Sequence, residues 1–164
     1  MKTRTAVAVF TLLALFALIQ AGMRGSKESR AYKTAEIFVN GRAVSILLAD
    51  TELQRIRGLS GRSAIGAEGM LFIFPKEDLH GIWMKEMLFP LDVLWLSERK
   101  SQTGADNTEK ERELEVLDIK ENAMPETFPK VFYPNEKVQY VFEVNAGFVE
   151  ANYVGIGDTL LLKR

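Results

Sequence analysis

The stretch HGIWMKEMLFPLDVLWL, from His80 to Leu96, is the most apolar part of the chain outside its N-terminus. It contains the single histidine and both tryptophans of the sequence. It also contains three charged residues, Lys85, Glu86 and Asp92. Charged groups in so apolar a segment need either a structural or a functional explanation, because burying an ion without a partner is costly.

The second half of this stretch, residues 91–96, predicts a β-strand. Successive side chains of a strand point to opposite faces, so Asp92 shares a face with Leu94 and Leu96. The other face carries Leu91, Val93 and Trp95. Because both faces are apolar, we expect the strand to be buried on both sides. The carboxylate of Asp92 must then be paired or hydrogen-bonded, or it will be neutral.

Segments on either side of this strand also have strand patterns. Asn40-Gly41 separates two apolar runs and predicts a β-hairpin, since both residues tolerate positive φ. Further strands are predicted at residues 70–74, 81–84, 114–119, 138–144 and 159–162. The alternation of strands and helices that is typical of a parallel sheet is absent. The sequence therefore predicts a mainly β (α+β) fold, a small, partly closed β-barrel with antiparallel or mixed pairing and two short helices.

The first predicted helix follows the hairpin. Thr51 and Gln54 fit a capping box, with Asp50 as an alternative cap, and Gly58 can end the helix. Cationic side chains at its end are favourable for the helix dipole by ~0.3–1 kcal/mol. Alternatively, Arg57 reaches a buried carboxylate or an anionic ligand. The second predicted helix runs from residue 148 to residue 152, with Asn145 as its cap.

Two segments predict loops in a single β-rich domain of residues 34–164. Residues 97–113 are almost entirely polar and predict a solvated hairpin loop. Residues 122–134 hold three of the five prolines and predict an extended crossing segment.

The N-terminus predicts export or membrane insertion. Lys2 and Arg4 precede an apolar run over residues 6–22, which is intermediate in length between a signal peptide and a spanning helix. The position three residues before the candidate cleavage point is not small, which favours an uncleaved signal anchor over residues 1–22. Residues 23–33 then form a polar linker. The expected location is the cell membrane, single-pass through residues 6–22 with the domain outside the cytoplasm, or the periplasm or medium if the segment is cleaved.

Composition narrows the function classes. The net charge of -1 gives no basic field, so nucleic acid is not an expected partner. With no cysteine and one histidine, one chain cannot build a thiolate or multi-histidine metal site. No Walker loop, dinucleotide fingerprint or nucleophile elbow is present. We therefore predict no cofactor and no metal, and the sequence names no catalytic residue.

The candidate site residues are charged or aromatic side chains near the apolar stretch. In the structural interpretation, Asp92 pairs with Arg57 or Lys85 and links the first helix to the central strands. In the functional interpretation, Asp92, Lys85, Arg57 and Glu143 converge on a ligand pocket, as charges do at many active sites.

Two aromatic candidates also have two interpretations each. His80 precedes a glycine in a turn, where a hydrogen-bonded loop histidine is the ordinary case and an acid–base residue or ligand is the alternative. Trp83, like Trp95, is expected to pack in the core, with a sugar-stacking platform as the alternative.

Five blocks in order carry a family resemblance. They are RGLSGR (57–62), GMLFIFP (69–75), IWMKEMLFPLDVLWL (82–96), VFEVNAG (141–147) and GIGD (155–158). Together they closely resemble domain-of-unknown-function family 192 across residues 37–162. The resemblance implies a small β-rich domain, often behind a signal sequence, and brings no catalytic assignment. The family pattern has Asn-Thr after Trp-Met-Lys, whereas this chain has Glu86 and Met87.

These observations favour a ligand-binding or accessory domain in the cell envelope. The alternative is a small carboxylate-dependent hydrolase or lyase acting on envelope material, which would need a suitable pair of acids. A structural partner of another envelope protein is a third possibility, and it would expose an apolar patch.

Overall fold

A computed structural model describes residues 31–99 and 111–164 of the 164. The predicted N-terminal hydrophobic helix and residues 23–30 of the predicted linker lie outside these residues, as do residues 100–110 of the predicted polar loop. Residues Tyr32–Arg164 form one unit by their contacts. Within the described segments, no helix has the length and apolar character needed to cross a bilayer.

The described chain is mainly β-strand. In chain order the strands are β1 (Lys33–Val39), β2 (Arg42–Ala49), β3 (Gly69–Asp78), β4 (Ile82–Trp83), β5 (Leu91–Glu98), β6 (Glu111–Ala123), β7 (Val131–Phe132), β8 (Val138–Asn145) and β9 (Thr159–Lys163). The helices described are α1 (Glu52–Arg57), α2 (Phe148–Ala151) and one turn of 3₁₀ helix (Pro125–Thr127).

Seven strands form a closed barrel in the order β1-β2-β3-β8-β5-β6-β9. The prediction of a barrel is confirmed, but the prediction that it is only partly closed is wrong. Closure depends on β9, which pairs with β6 over Glu111–Glu115 and with β1 over Glu36–Phe38. The pairing is mixed as allowed, because β2 and β3 are parallel and the other barrel pairs are antiparallel.

The first hairpin forms as its sequence predicts. Asn40 and Gly41 have φ of +48° and +82°, the conformation that such a two-residue turn requires. Val44, Ile46 and Leu48 are buried on one face of β2.

Two predicted loops are shorter than expected. β5 extends to Glu98 and β6 begins at Glu111, so both strands continue into the predicted polar loop. The two strand ends stay paired where Arg112 forms a 2.9 Å ion pair with Glu98. In the predicted crossing loop, β6 runs to Ala123, and β7 pairs with β4 as a separate two-stranded sheet.

The apolar side chains form two clusters, one inside the barrel and one outside it. The interior cluster takes residues from all seven barrel strands, including Leu94, Leu96 and Phe142. The second cluster covers the outer face of β3, β8 and β5 and includes Met70, Val93 and Val141. Residues after α1 and around β4, such as Leu59, Ile65 and Met84, cover that outer face. β5 is therefore buried on both sides, as predicted.

The two helices begin differently. Thr51 caps α1 in a capping box with Gln54, as predicted, and Gly58 follows with φ of +47°. For α2 the cap is Gly147 and not Asn145, so that prediction is wrong. Asn145 is the last residue of β8, where ladder pairing with Leu91 fixes an extended backbone.

Candidate functional site

A cleft of about 290 Å³ opens on the outer face of the barrel, beside α1 and β4. Its lining combines an apolar wall with a few polar groups. The apolar part is Ile56, Leu59, Phe72, Phe74, Ile82, Trp83, Met87 and Leu91, and the charged part is Glu52, Arg55, Arg57 and Glu143. Clefts with apolar walls and few polar groups are the usual form of small-ligand sites.

Glu143 supplies the buried acid of this cleft. On β8 it pairs laterally with Met70 of β3 and Val93 of β5, so its carboxyl rises from the apolar outer face. The residue is only 5% exposed. Desolvation by these neighbours raises the pKa of Glu143 to about 8. The carboxyl is therefore mainly protonated at neutral pH.

The carboxyl of Glu143 has no hydrogen bond or ion pair to any residue in 31–99 or 111–164. No fully enclosed side-chain polar atom of those segments lacks a partner, so the oxygens of Glu143 open to the cleft. Buried polar groups in native proteins nearly always have a partner, and each exception needs an explanation.

The rim of the cleft carries a cation and an aromatic ring. Arg57, in the last turn of α1, is exposed, and among the described residues it has no ion pair. Trp83 is 52% exposed, and the Lys85 ammonium lies 5.8 Å from its ring centre. The expectation that Trp83 packs in the core is wrong, because β4 belongs to the small outer sheet, and only Trp95 is buried.

Arg55, which also lines the cleft, has structural partners. Its guanidinium donates hydrogen bonds to the carbonyl oxygens of Asp50 and Ile73, at 2.9 and 2.8 Å. It also lies over the Phe74 ring at 5.6 Å. These contacts attach α1 to β3. Of the two arginines that line the cleft, Arg57 is therefore the one without a partner among the described residues.

Asp92 does not join this cleft. It is 1% exposed, as expected, but its partners are not cations. One carboxylate oxygen accepts the backbone N–H of Asn122 at 2.9 Å and the other accepts that of Val149 at 3.0 Å. The predicted ion pair with Arg57 or Lys85 is wrong, because Asp92 faces the barrel interior whereas α1 lies over the outer face.

His80 lies next to the cleft without lining it. Its ring stacks on Phe74 at 3.5 Å between centroids, and Nε2 lies 3.0 Å from the carbonyl oxygen of Lys76. Its own carbonyl oxygen accepts the indole N–H of Trp95 at 2.8 Å. These contacts match the hydrogen-bonded loop histidine of the sequence analysis.

Sequence reasoning identified three residues of the cleft, Arg57, Trp83 and Glu143, but missed its apolar wall. From the sequence, Phe72, Met87 and Leu91 are predicted only to lie in strands or a turn. The departure from the family pattern gave one signal. Glu86 adopts φ of +56°, which asparagine tolerates better than glutamate, and the next residue, Met87, lines the cleft. The first position therefore shapes a turn, and the second contributes to the wall.

The described residues contain no group of three or more acidic or histidine side chains placed to hold a metal ion.

Comparison with known proteins agrees with the sequence blocks. A family model described as Uncharacterized ACR, DUF192, matches residues 35–162. The chain belongs to this family. No curated protein gives a significant match to this DUF192 chain.

Two solved structures resemble the domain. The first, from Sinorhizobium meliloti 1021, is described as a "putative transcription regulator". It is 30% identical in sequence to this chain, and the TM-score is 0.63. The match covers 79% of this chain and 94% of that one. The second, a protein of unknown function from Novosphingobium aromaticivorans DSM 12444, is 21% identical, with a TM-score of 0.60 and coverage of 79% and 84%. The second similarity concerns the fold alone.

Proposed function

We propose that this protein is a small-ligand-binding domain of the cell envelope that uses the cleft over Glu143. The observation that carries the proposal is a nine-tenths buried carboxyl without a partner among the described residues, placed in an open cleft. A group of this kind destabilises the folded state unless something else binds it, so a role in folding alone does not explain it. The exposed Trp83 and Arg57 at the rim supply further binding surface.

A ligand screen on the full-length chain in a non-ionic detergent tests this proposal. Ligands that bind the folded state raise its melting temperature. We expect hits from a library of small envelope metabolites, and we expect Trp83→Ala and Glu143→Gln to reduce the shift of each hit by at least half. Tyr153→Ala removes an exposed aromatic side chain outside the lining and should leave the shifts unchanged.

Two outcomes would contradict the binding proposal. One is a library in which no compound stabilises the wild-type chain. The other is a set of hits whose shifts persist in both cleft variants, which would place binding elsewhere.

The raised pKa of Glu143 favours a second candidate, a carboxylate-dependent hydrolase or lyase acting on envelope material. A carboxyl that is protonated near neutral pH can serve as a general acid. Asp92 is an unsuitable second acid, because it faces the barrel interior and already accepts two hydrogen bonds. A hit that wild type consumes and Glu143→Gln does not would favour the enzyme.

The description of the Sinorhizobium meliloti relative suggests transcriptional regulation, which we do not propose for this chain. The net charge is -1, and DNA binding depends strongly on basic side chains that neutralise phosphates.

The proposed location is the outer face of the cell membrane, through residues 1–22. In bacterial cells that express the full chain, we expect the protein in the membrane fraction and the domain accessible to protease added to spheroplasts. Deletion of residues 1–22 should move the protein to the soluble cytoplasmic fraction. Full-length protein that is cytoplasmic and protected from protease would contradict this location.

A further inference from the structure

The cleft holds an acid and a cation that lack described partners. Glu143 lies at its buried end and Arg57 at its exposed rim. They do not compensate each other, since burial is the single cause acting on the pKa of Glu143 and no cation contributes. No ion pair joins them, and one ligand with a cationic and an anionic end can bind both groups.

We propose that the cleft binds a small zwitterion, with its protonated amine against Glu143 and its anionic group at Arg57. This inference rests on the proposed function, because it names the ligand class of the same cleft. The amine supplies the hydrogen bonds and positive charge that the protein does not provide at Glu143, and the Glu143 carboxyl releases its proton to solvent as the ammonium binds. A charge-assisted hydrogen bond of this kind is stronger than a neutral one.

The wall between the two charges fits an apolar body. Phe72, Met87 and Leu91 line it, and the half-exposed ring of Trp83 stands at its rim. The volume of about 290 Å³ lies near the lower limit of ~300–1,000 Å³ for ligand pockets, so a ligand of amino-acid size fits better than a long chain.

The other charged lining groups are less suited to the two roles. Arg55 donates to two carbonyl oxygens and stacks on Phe74. Glu52 is an exposed acid, so it would bind an amine more weakly than the buried Glu143. Glu143 and Arg57 are therefore the specificity-determining pair.

Three matched probes separate the two charges. L-phenylalanine carries both, L-phenylalaninamide carries the amine alone, and N-acetyl-L-phenylalanine carries the carboxylate alone. Binding is followed on the full-length chain, with methionine methyl groups labelled with ¹³C, in a non-ionic detergent. The Met87 methyl signal reports the cleft, and the Met124 signal, outside the lining, reports folding.

We expect L-phenylalanine to bind at least tenfold more tightly than N-acetyl-L-phenylalanine. Glu143→Gln keeps the shape but not the charge, and it should weaken both amine-bearing probes at least tenfold while leaving the N-acetyl compound unchanged. Arg57→Gln should weaken L-phenylalanine to the affinity of the amide and leave the amide unchanged. Glu136→Gln and Lys137→Gln, exposed charge changes outside the lining, should have no effect.

Failure of the inference is distinguishable from failure of the proposed function. If Glu143→Gln leaves the amine-bearing probes unaffected, or if the hits of the library screen lack an amine, the zwitterion is wrong and the binding site stands. If neither the probes nor the library shift the Met87 signal, both proposals fail. Library hits that carry both an amine and an anionic group, and that lose affinity in Glu143→Gln and in Arg57→Gln, support the inference even where phenylalanine itself does not bind.

Discussion

Glu143 is an acidic residue in an environment that disfavours its ionised form. Its pairing partners Met70 and Val93 keep water away, and nothing in the described chain offers a charge in return. The ordinary pKa of 4.5 rises to about 8 by desolvation. Because the folded pKa is above the unfolded one, the folded state holds a proton that the unfolded state releases between these values.

This difference makes stability depend on pH at Glu143. The contribution of Glu143 to the free energy of unfolding is complete below pH 4.5, and it is lost as the pH rises to about 8. Glutamine mimics the neutral acid at every pH. We therefore expect the stability of wild type, relative to Glu143→Gln, to fall by about 1.4 kcal/mol per pH unit across this window and then to level off. Urea unfolding of both full-length proteins between pH 5 and pH 9 measures it.

Glu136→Gln serves as the control for this series, since the residue is exposed. Its difference from wild type should not change with pH. A constant difference between wild type and Glu143→Gln over the same range would show that the carboxyl is not desolvated as described.

The buried carboxylate of Asp92, in contrast, is stabilised by hydrogen bonds from two backbone N–H groups. One bond joins β5 to the end of β6 and the other joins β5 to α2, so the carboxylate connects three elements. In Asp92→Asn, one oxygen becomes an NH₂ group, and one backbone donor loses its acceptor. We expect a loss of ~1–3 kcal/mol in the free energy of unfolding, measured with urea.

Two further variants make the Asp92 measurement decisive. Asp78→Asn changes an exposed aspartate whose carboxylate accepts the N–H of the next residue, and it should cost little. Arg57→Gln should cost less than ~1 kcal/mol, the range of a helix-end charge. A loss in Arg57→Gln as large as that in Asp92→Asn would contradict the conclusion that the two residues act independently.

At the scale of elements, the pairing of β3 with β8 positions β8, the strand that carries Glu143. Gly69 begins β3 opposite Val144, and the Phe142 side chain packs so closely over it that a Cβ at Gly69 would lie 2.4 Å from the Phe142 ring. The glycine therefore lets Phe142 fill the barrel interior while Glu143 points outward.

Gly69→Ala is expected to destabilise the fold by ~1–3 kcal/mol, because overpacking forces the Phe142 ring and the backbone to move. Thermal unfolding of the full chain measures this effect. Gly155→Ala is the matched control, since a Cβ there would meet its nearest atom at 3.8 Å, which is an ordinary contact. Equal melting temperatures for the two variants would contradict the close approach.

Local elements were the ones that the sequence predicted best. The Asn40-Gly41 turn and the capping box of Thr51 and Gln54 depend on residues within four positions of each other, so they can be recognised in one segment. The cap of α2 was missed because Asn145 is held in β8 by pairing with Leu91, a residue 54 positions away in the chain. Tertiary pairing overrides a capping preference of about 1 kcal/mol.

At the scale of the whole molecule, the barrel separates the two acids of the central strands. Asp92 and Glu143 lie on paired strands, yet their side chains point to opposite faces, one into the interior and one to the outer cleft. Alternation along each strand already implied two faces. Which face became a closed interior and which a covered exterior depends on β9 joining β1.

The sequence by itself determined the strands, the first turn, the first helix cap and the burial of Asp92, since periodicity and turn chemistry act within a few residues. It also identified Arg57, Trp83 and Glu143 as candidate site residues. Only the tertiary structure decided that the barrel closes, that Asp92 bonds to backbone N–H groups rather than to a cation, and that Glu143 remains unpaired in a cleft. Such outcomes depend on contacts between distant segments, and a linear pattern of residue types does not specify which distant partners meet.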